Sequence, residues 1–138
     1  MHLYIAFKAI LVDQPPIHMK PGPGYVEFWS NLVYLGIPIL NFMRQTALEG
    51  LAEESISIDF SPQLSQLKIP VAFFVGRDKE AMIPSDISDE IIQLYTKSIS
   101  SCEVINFIKS GHMIPDEEQQ KYIAEIAAFI EKISVIKA

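Results

Sequence analysis

Three apolar segments of the chain have the length and composition of buried β-strands. They are Tyr4–Val12, Ile69–Val75 and Glu103–Ile108. The continuous apolar run of the second segment predicts burial on both faces, which is typical of a parallel sheet. Amphipathic helices are predicted after the second and third strands, over Asp86–Thr96 and Glu117–Ile133.

Each of these two predicted helices has an apolar stripe and a capping signal. Asp86 can cap the first helix, and Asp116 with Gln119 three positions later resembles a capping box for the second. The apolar positions predicted to face the sheet are Ile87, Ile91, Leu94 and Tyr95, followed by Tyr122, Ile123, Ile126, Ile130 and Ile133.

The segment between the first and second strands is predicted to be a helical insert. Residues Asp13–Tyr25 are rich in proline and indicate a loop. Val26–Glu53 is predicted to form two helices that divide near Gly36–Pro38. The resulting order of strand, insert, strand, helix, strand and helix predicts an α/β fold with about three parallel strands. Three strands leave two exposed sheet edges, so the sequence is interpreted as part of a larger sheet.

Composition and charge exclude several classes of protein. The chain has 138 residues, about one domain, and a net charge of −6 without a basic stripe, which argues against nucleic-acid binding. Its longest apolar run, Phe28–Met43, is interrupted by polar residues, glycine and proline, so no membrane span is predicted. The N-terminal segment lacks the basic region and cleavage site of a signal peptide, and a cytoplasmic location is expected.

His112 is the sharpest candidate for chemistry. It follows Ser110-Gly111 directly after the third strand, and catalytic groups in open α/β sheets gather at the carboxyl ends of strands. A histidine at this place can take a proton from a nucleophile and later return it. A histidine in an ordinary surface loop is an equally good interpretation on position alone.

Carboxylates follow two of the predicted strands. Asp78 and Glu80 come after the second strand, where a buried carboxylate could orient His112; the alternative is a solvated turn of mutually screening charges. Asp13 ends the first strand and is the fallback orienting acid, but the Gln14–Pro16 stretch suits a plain strand stop better.

The remaining candidate residues predict no cofactor and no metal. Cys102 precedes a strand and is interpreted as a structural thiol. His2 and His18 have no ligand-like spacing with acidic residues or cysteine. The sequence contains no Walker lysine loop and no G-x-G-x-x-G motif.

From Gln63 to Ile130 the sequence resembles the C-terminal end of an α/β-hydrolase of the lipase, esterase and aminopeptidase type. That family has an approach segment, an apolar strand ending in glycine, an acid, a helix-opening proline, a Gly-His pair and a final amphipathic helix. The matching positions are Leu67-Lys68-Ile69-Pro70, Val71–Gly76, Asp78, Pro84, Gly111-His112 and Asp116–Ile133. The resemblance implies that Tyr4–Val12 is the strand before the cap and that residues from about 20 to 58 form the helical cap, or lid, within a single portion spanning 1–138.

Two departures from the family pattern bear on activity. The family's acid usually lies three residues after the strand-ending glycine, and Lys79 occupies that position, with Asp78 one residue before it and Glu80 one after. The family's nucleophile lies in a G-x-S-x-G elbow, and no such motif occurs in these 138 residues. The chain alone is therefore predicted not to run the family's reaction.

Three interpretations follow from these observations. In the first, the chain is the C-terminal portion of a serine hydrolase that cleaves an ester or amide; Asp78 orients His112, Phe28–Met43 lines a pocket for a hydrophobic substrate, and a missing N-terminal half carries the serine. In the second, the chain is a non-catalytic, shortened relative that binds a ligand or forms a homodimer through its apolar insert or its open sheet edge. In the third, it is an unrelated α/β domain in which the acid and the histidine are accidental.

Overall fold

The fold is seen in a computed structural model, which describes residues 8–132. Seven strands and five α-helices are present in this part of the chain. The strands are β1 (Ala9–Val12), β2 (Ile17–His18), β3 (Val33–Tyr34), β4 (Ile37–Pro38), β5 (Ile58–Asp59), β6 (Val71–Gly76) and β7 (Cys102–Phe107). The helices are α1 (Tyr25–Ser30), α2 (Gln45–Glu54), α3 (Asp89–Ser98), α4 (Ile114–Glu117) and α5 (Gln119–Glu131).

The chain divides into two compact units. The core unit contains the described residues 8–16 and 60–132, and the insert unit contains residues 17–59. The insert unit occupies nearly the same part of the sequence as the predicted cap, residues 20–58. Its role as a lid stays a prediction.

The core unit is built on a parallel three-stranded sheet in the order β1-β6-β7. In register, Ala9 lies opposite Val71 and Val71 opposite Cys102. Every residue of β6 is buried, which confirms the prediction from its continuous apolar run. The first strand was predicted to begin at Tyr4, and residues 4–7 lie outside the described residues.

Hydrophobic cores lie on both faces of the central strand, because successive side chains of a strand point to opposite faces. Phe73 packs against Tyr95 of α3 with ring centroids 4.3 Å apart. Phe74, on the other face, packs against Phe107 at 5.2 Å and shares its core cluster with Phe129 of α5. The sheet is therefore a two-sided layer that holds the carboxyl ends of its strands in fixed positions.

Helix α3 begins three residues later than predicted. Ser88 caps it by accepting a hydrogen bond from the Ile91 amide at 3.3 Å, so the predicted Asp86 cap is wrong. The apolar stripe of this helix is confirmed, with Ile91, Leu94 and Tyr95 packed in one core cluster. The residues before Ser88 remain free to form a loop at the sheet edge.

The last predicted helix is divided into α4 and α5. Helix α5 begins at Gln119 without a side-chain cap, so the predicted capping box of Asp116 and Gln119 does not begin it. Its buried face consists of Tyr122, Ile126 and Phe129, which are spaced by four and three residues. Two residues predicted to face the sheet, Ile123 and Ile130, are instead 59% and 64% exposed, and Ile133 lies outside the described residues.

The insert unit is less helical than predicted. Helices α1 and α2 are both present, but β3 and β4 form an antiparallel hairpin between them. Its two turn residues, Leu35 and Gly36, have φ angles of 50° and 78°, the left-handed conformation that a tight hairpin turn requires. The prediction of two helices over the whole of Val26–Glu53 is therefore wrong in its middle part. No helix within residues 8–132 is both long enough and apolar enough to cross a membrane.

Candidate active site

Asp13 lies at the carboxyl end of β1 with its side chain fully buried. Its backbone amide continues the sheet by donating to the Phe74 carbonyl at 2.8 Å. Its φ angle of 47° places it in the left-handed region, which aspartate tolerates better than most residues. The chain turns sharply here, and the carboxylate contacts groups that follow the neighbouring strand β6.

Both oxygens of the Asp13 carboxylate have polar partners. Oδ1 accepts hydrogen bonds from the Gly76 amide at 2.9 Å and from the Ser85 hydroxyl at 2.7 Å. Oδ2 lies 2.9 Å from Nδ1 of His112. A buried carboxylate needs such compensation to remain charged, and these contacts fix its orientation as well.

The loop that carries His112 is held by backbone contacts and by two carboxylates. The His112 amide donates to the Ile83 carbonyl at 2.7 Å, and the Gly111 amide donates to Oε2 of Glu117 at 2.7 Å. Oε2 of Glu118 accepts from the Lys109 amide at 2.9 Å and from the Ser110 hydroxyl at 2.8 Å. The imidazole therefore projects from an anchored loop.

Two glycines allow the strand ends to approach this closely. A Cβ atom on Gly76 would lie 1.9 Å from the carbonyl oxygen of Gly111, and a Cβ on Gly111 would lie 2.3 Å from that of Ile83. Both neighbours are backbone atoms, which cannot move aside as a side chain can. The glycine of the Gly111-His112 pair is thus required by packing, because a side chain at position 111 would collide with the Ile83 carbonyl.

The acid that contacts His112 is Asp13, and Asp78 is engaged elsewhere. Oδ1 of Asp78 accepts from the Glu80 amide at 2.9 Å, and the Asp78 amide donates to the Ser110 carbonyl at 2.9 Å. Within residues 8–132, neither Asp78 nor Glu80 forms a hydrogen bond or ion pair with His112. The structure therefore places the fallback acid, and not the favoured one, against His112. Asp78 lies in a turn, as in its alternative interpretation.

The surroundings of His112 favour its charged form. The hydrogen bond to Asp13 raises the pKa of His112, partial burial opposes this, and the negative charges of Asp13, Asp86 and Glu117 add to the increase. Because an ionised carboxylate only accepts hydrogen bonds, the Nδ1 nitrogen carries the proton that faces Asp13. The neutral ring therefore has its lone pair on Nε2, the arrangement that a general base requires.

The raised pKa predicts how stability depends on pH. Since the folded pKa of His112 lies above the unfolded value of about 6.5, the pairing stabilises the fold fully below about pH 6.5, and this contribution is lost as the pH rises through the folded value. Urea unfolding at several pH values should show that His112→Gln loses more stability at acidic than at alkaline pH. Equal losses of stability at both pH values for His112→Gln would contradict the prediction.

Cys102 does not take part in this arrangement. It is the first residue of β7, at the opposite end of that strand from the His112 loop. Burial raises the pKa of its thiol, which disfavours the reactive thiolate. Within residues 8–132, no group of three histidine, cysteine, aspartate or glutamate side chains could hold a metal ion.

Comparison with solved structures identifies the architecture. MenH from S. aureus matches with a TM-score of 0.56 at 14% sequence identity, over 94% of this chain and 60% of the MenH chain. The chain has a partial α/β-hydrolase fold. At this identity the match establishes the α/β-hydrolase fold alone. The chain spans about three fifths of MenH, so the activity of a whole hydrolase is not transferred with the fold.

Two esterases share a more distant likeness to the α/β-hydrolase fold of this chain. They are an esterase (EaEST) from Exiguobacterium antarcticum, at 13% identity, and the esterase RhEst1 from Rhodococcus sp. ECU1013, at 15%. Each match covers 78% of this chain and 40% of the esterase, with a TM-score of 0.46. The sequence matches no family profile and no curated protein.

Proposed function

We propose that the chain provides the acid and the general base of a serine-hydrolase centre that cleaves an ester or amide. The observation that carries the proposal is the contact of 2.9 Å between the fully buried Asp13 carboxylate and Nδ1 of the half-exposed His112. Asp13 takes the orienting role that the sequence had suggested for Asp78.

The geometry suits both proton transfers of such a reaction. Nε2 of neutral His112 would accept the proton of a serine hydroxyl as that oxygen attacks the carbonyl carbon, and would then return it to the leaving group. Asp13 would hold the ring in the required tautomer and stabilise the imidazolium that forms between the two steps. Water would release the acyl group from the serine by the same transfers.

The serine is proposed to come from outside residues 1–138, since these contain no G-x-S-x-G motif. Two observations support this source. The chain matches only 60% of MenH, and among residues 8–132 the outer edge of β1 has no strand partner. An unpaired edge is a ready site for another strand, and β1 leads directly to Asp13. The nucleophile segment would belong either to the same polypeptide or to a second one.

The insert unit is proposed to act as a lid that favours a hydrophobic substrate. Large apolar side chains are exposed on it, among them Phe28 at 52%, Leu35 at 79% and Phe42 at 59%. Apolar surface of this kind marks ligand or partner sites. The same observation supports the second candidate function, a non-catalytic module that binds a ligand or a second copy through these residues.

The test supplies the missing nucleophile. The chain is co-expressed with the polypeptide encoded immediately upstream of it, and hydrolysis of ethyl butyrate, an unactivated alkyl ester, is measured. We expect hydrolysis by the pair, none by the chain alone, and none when His112→Ala is present, whereas the control His18→Ala retains the activity. Activity that survives His112→Ala would contradict the assignment. If no G-x-S-x-G polypeptide is encoded upstream, the non-catalytic function is favoured.

A further inference from the structure

His112 has one occupied and one free ring nitrogen. Nδ1 is held by Asp13 at 2.9 Å, whereas Nε2 has no hydrogen-bond partner within residues 8–132, and 49% of the side chain is exposed. In a complete serine centre this nitrogen would accept the proton of the serine hydroxyl. In this chain it is open to an external molecule.

We propose that His112 is itself an acyl acceptor, taking the acyl group of an activated, uncharged ester on Nε2 and passing it to water. The proposal goes beyond the serine-dependent function and does not require the nucleophile segment. Its substrate class is the aryl ester, whose aryloxide leaves more readily than an alkoxide does.

The reaction balances with water as the only co-reactant. The Nε2 lone pair attacks the carbonyl carbon, and the bond from that carbon to the aryl oxygen breaks, so the aryloxide departs with the electron pair. The resulting acyl-imidazolium keeps its proton on Nδ1, which donates it in a hydrogen bond to Asp13. The negative charge of Asp13 offsets the new positive charge of the ring. Water then attacks the acyl carbon and the bond to Nε2 breaks, so the electron pair of that bond returns to the ring. The products are a carboxylic acid, neutral His112 and one proton, which the departed aryloxide or the solvent takes up.

Charge around the ring selects an acyl ester over a phosphoryl or sulfuryl donor. The charged groups that act on His112 are Asp13 from the end of β1, Asp86 from the loop before α3, and Glu117 from α4. All three are acidic, and like charges repel an anionic donor. An uncharged ester experiences no such repulsion.

The experiment uses the 138-residue chain and p-nitrophenyl acetate. Release of nitrophenolate is followed for the wild type, for His112→Gln and for His18→Gln, which removes the exposed histidine of β2 and is the matched control. We expect His112→Gln to reduce the protein-dependent rate at least tenfold and His18→Gln to leave it within twofold. An equal loss of the protein-dependent rate in the two variants, or an unchanged rate in His112→Gln, would overturn the proposal.

Two further measurements on the wild type avoid any question of variant folding. Rapid acid quenching followed by mass spectrometry of peptides should find one acetyl group on His112. If release of nitrophenolate depended on His112 but no acetyl adduct formed, the imidazole would act as a general base only. That result would overturn the nucleophilic step. The rate should also rise with pH to a plateau, because the protonated ring has no lone pair on Nε2.

Ethyl acetate separates this reaction from the serine-dependent function. An imidazole nucleophile leaves a tetrahedral adduct of an alkyl ester more readily than the alkoxide does, so the isolated chain should not hydrolyse ethyl acetate. Hydrolysis of both esters by the isolated chain would indicate a serine centre and overturn the present inference. Failure of the co-expression test would leave the acetyl adduct on His112 unaffected, so the two proposals fail separately.

Discussion

Asp13→Asn is expected to lower serine-dependent hydrolysis by about four orders of magnitude, the size of the loss when a catalytic histidine is held in the wrong tautomer. The reason lies in the partners of the carboxylate. Oδ1 accepts from both the Gly76 amide and the Ser85 hydroxyl, so the asparagine carbonyl oxygen takes that position and its NH₂ group faces His112. Nδ1 must then accept a hydrogen bond, and the proton of the neutral ring moves to Nε2.

The effect of Asp13→Asn on His112 can also be measured in the 138-residue chain alone. We expect Asp13→Asn to lower the pKa of His112, because the hydrogen bond to the carboxylate is the largest cause of its increase. Nuclear magnetic resonance of the imidazole gives both the pKa and the tautomer. The matched control is Asp78→Asn, which alters a turn carboxylate bonded to Glu80 and should change neither. If the neutral ring of Asp13→Asn kept its proton on Nδ1, or if Asp78→Asn lowered the pKa of His112, the orienting role would return to Asp78.

Gly76→Ala is expected to destabilise the core unit by more than about 4 kcal/mol, a cost reached by few single substitutions. The new Cβ would lie 1.9 Å from the Gly111 carbonyl oxygen and 2.9 Å from that of Ser110. Separating these segments also breaks the Gly76 amide bond to Asp13. Relief of the clash therefore removes the contact that orients the acid.

Urea denaturation of Gly76→Ala measures this cost. The control is Gly50→Ala, in the interior of α2, where no heavy atom lies within 4 Å of the added Cβ. The free energy of unfolding of that variant should rise by about 0.5–1 kcal/mol, because alanine favours a helix more than glycine does. A Gly76→Ala protein within 1 kcal/mol of the wild type would show that the strand ends can separate without loss.

Prediction from sequence failed where it depended on conformations that a residue type seldom adopts. The hairpin in the insert unit needs a positive φ at Leu35, and leucine does not indicate such a turn.

On α5, the apolar residues Ile123 and Phe129 are both compatible with a buried stripe. Only the placement of the helix on the sheet decided that Phe129 is buried and Ile123 exposed.

The choice between two acids shows the same limit at the site. Asp13 and Asp78 both follow a strand. The resemblance to the family pattern and the strand stop after Asp13 favoured Asp78, yet β1 is hydrogen-bonded to β6, and the left-handed turn at Asp13 directs its carboxylate across the end of that strand. The position of Asp78 in its own turn is likewise a local contact, with Glu80.

The sequence by itself determined the parallel α/β architecture and the location of His112 after the third sheet strand, because apolar periodicity and strand-ending glycines act locally and are visible in one dimension. The tertiary structure decided which carboxylate meets that histidine, which ring nitrogen is left free, and which glycines cannot be replaced. The contacts of Asp13 with Gly76 and His112 join residues 63 and 99 positions apart in the chain, and the close contacts of the glycines join the separate segments of Gly76, Ile83 and Gly111. Such distances are set by how strands neighbour one another in the sheet.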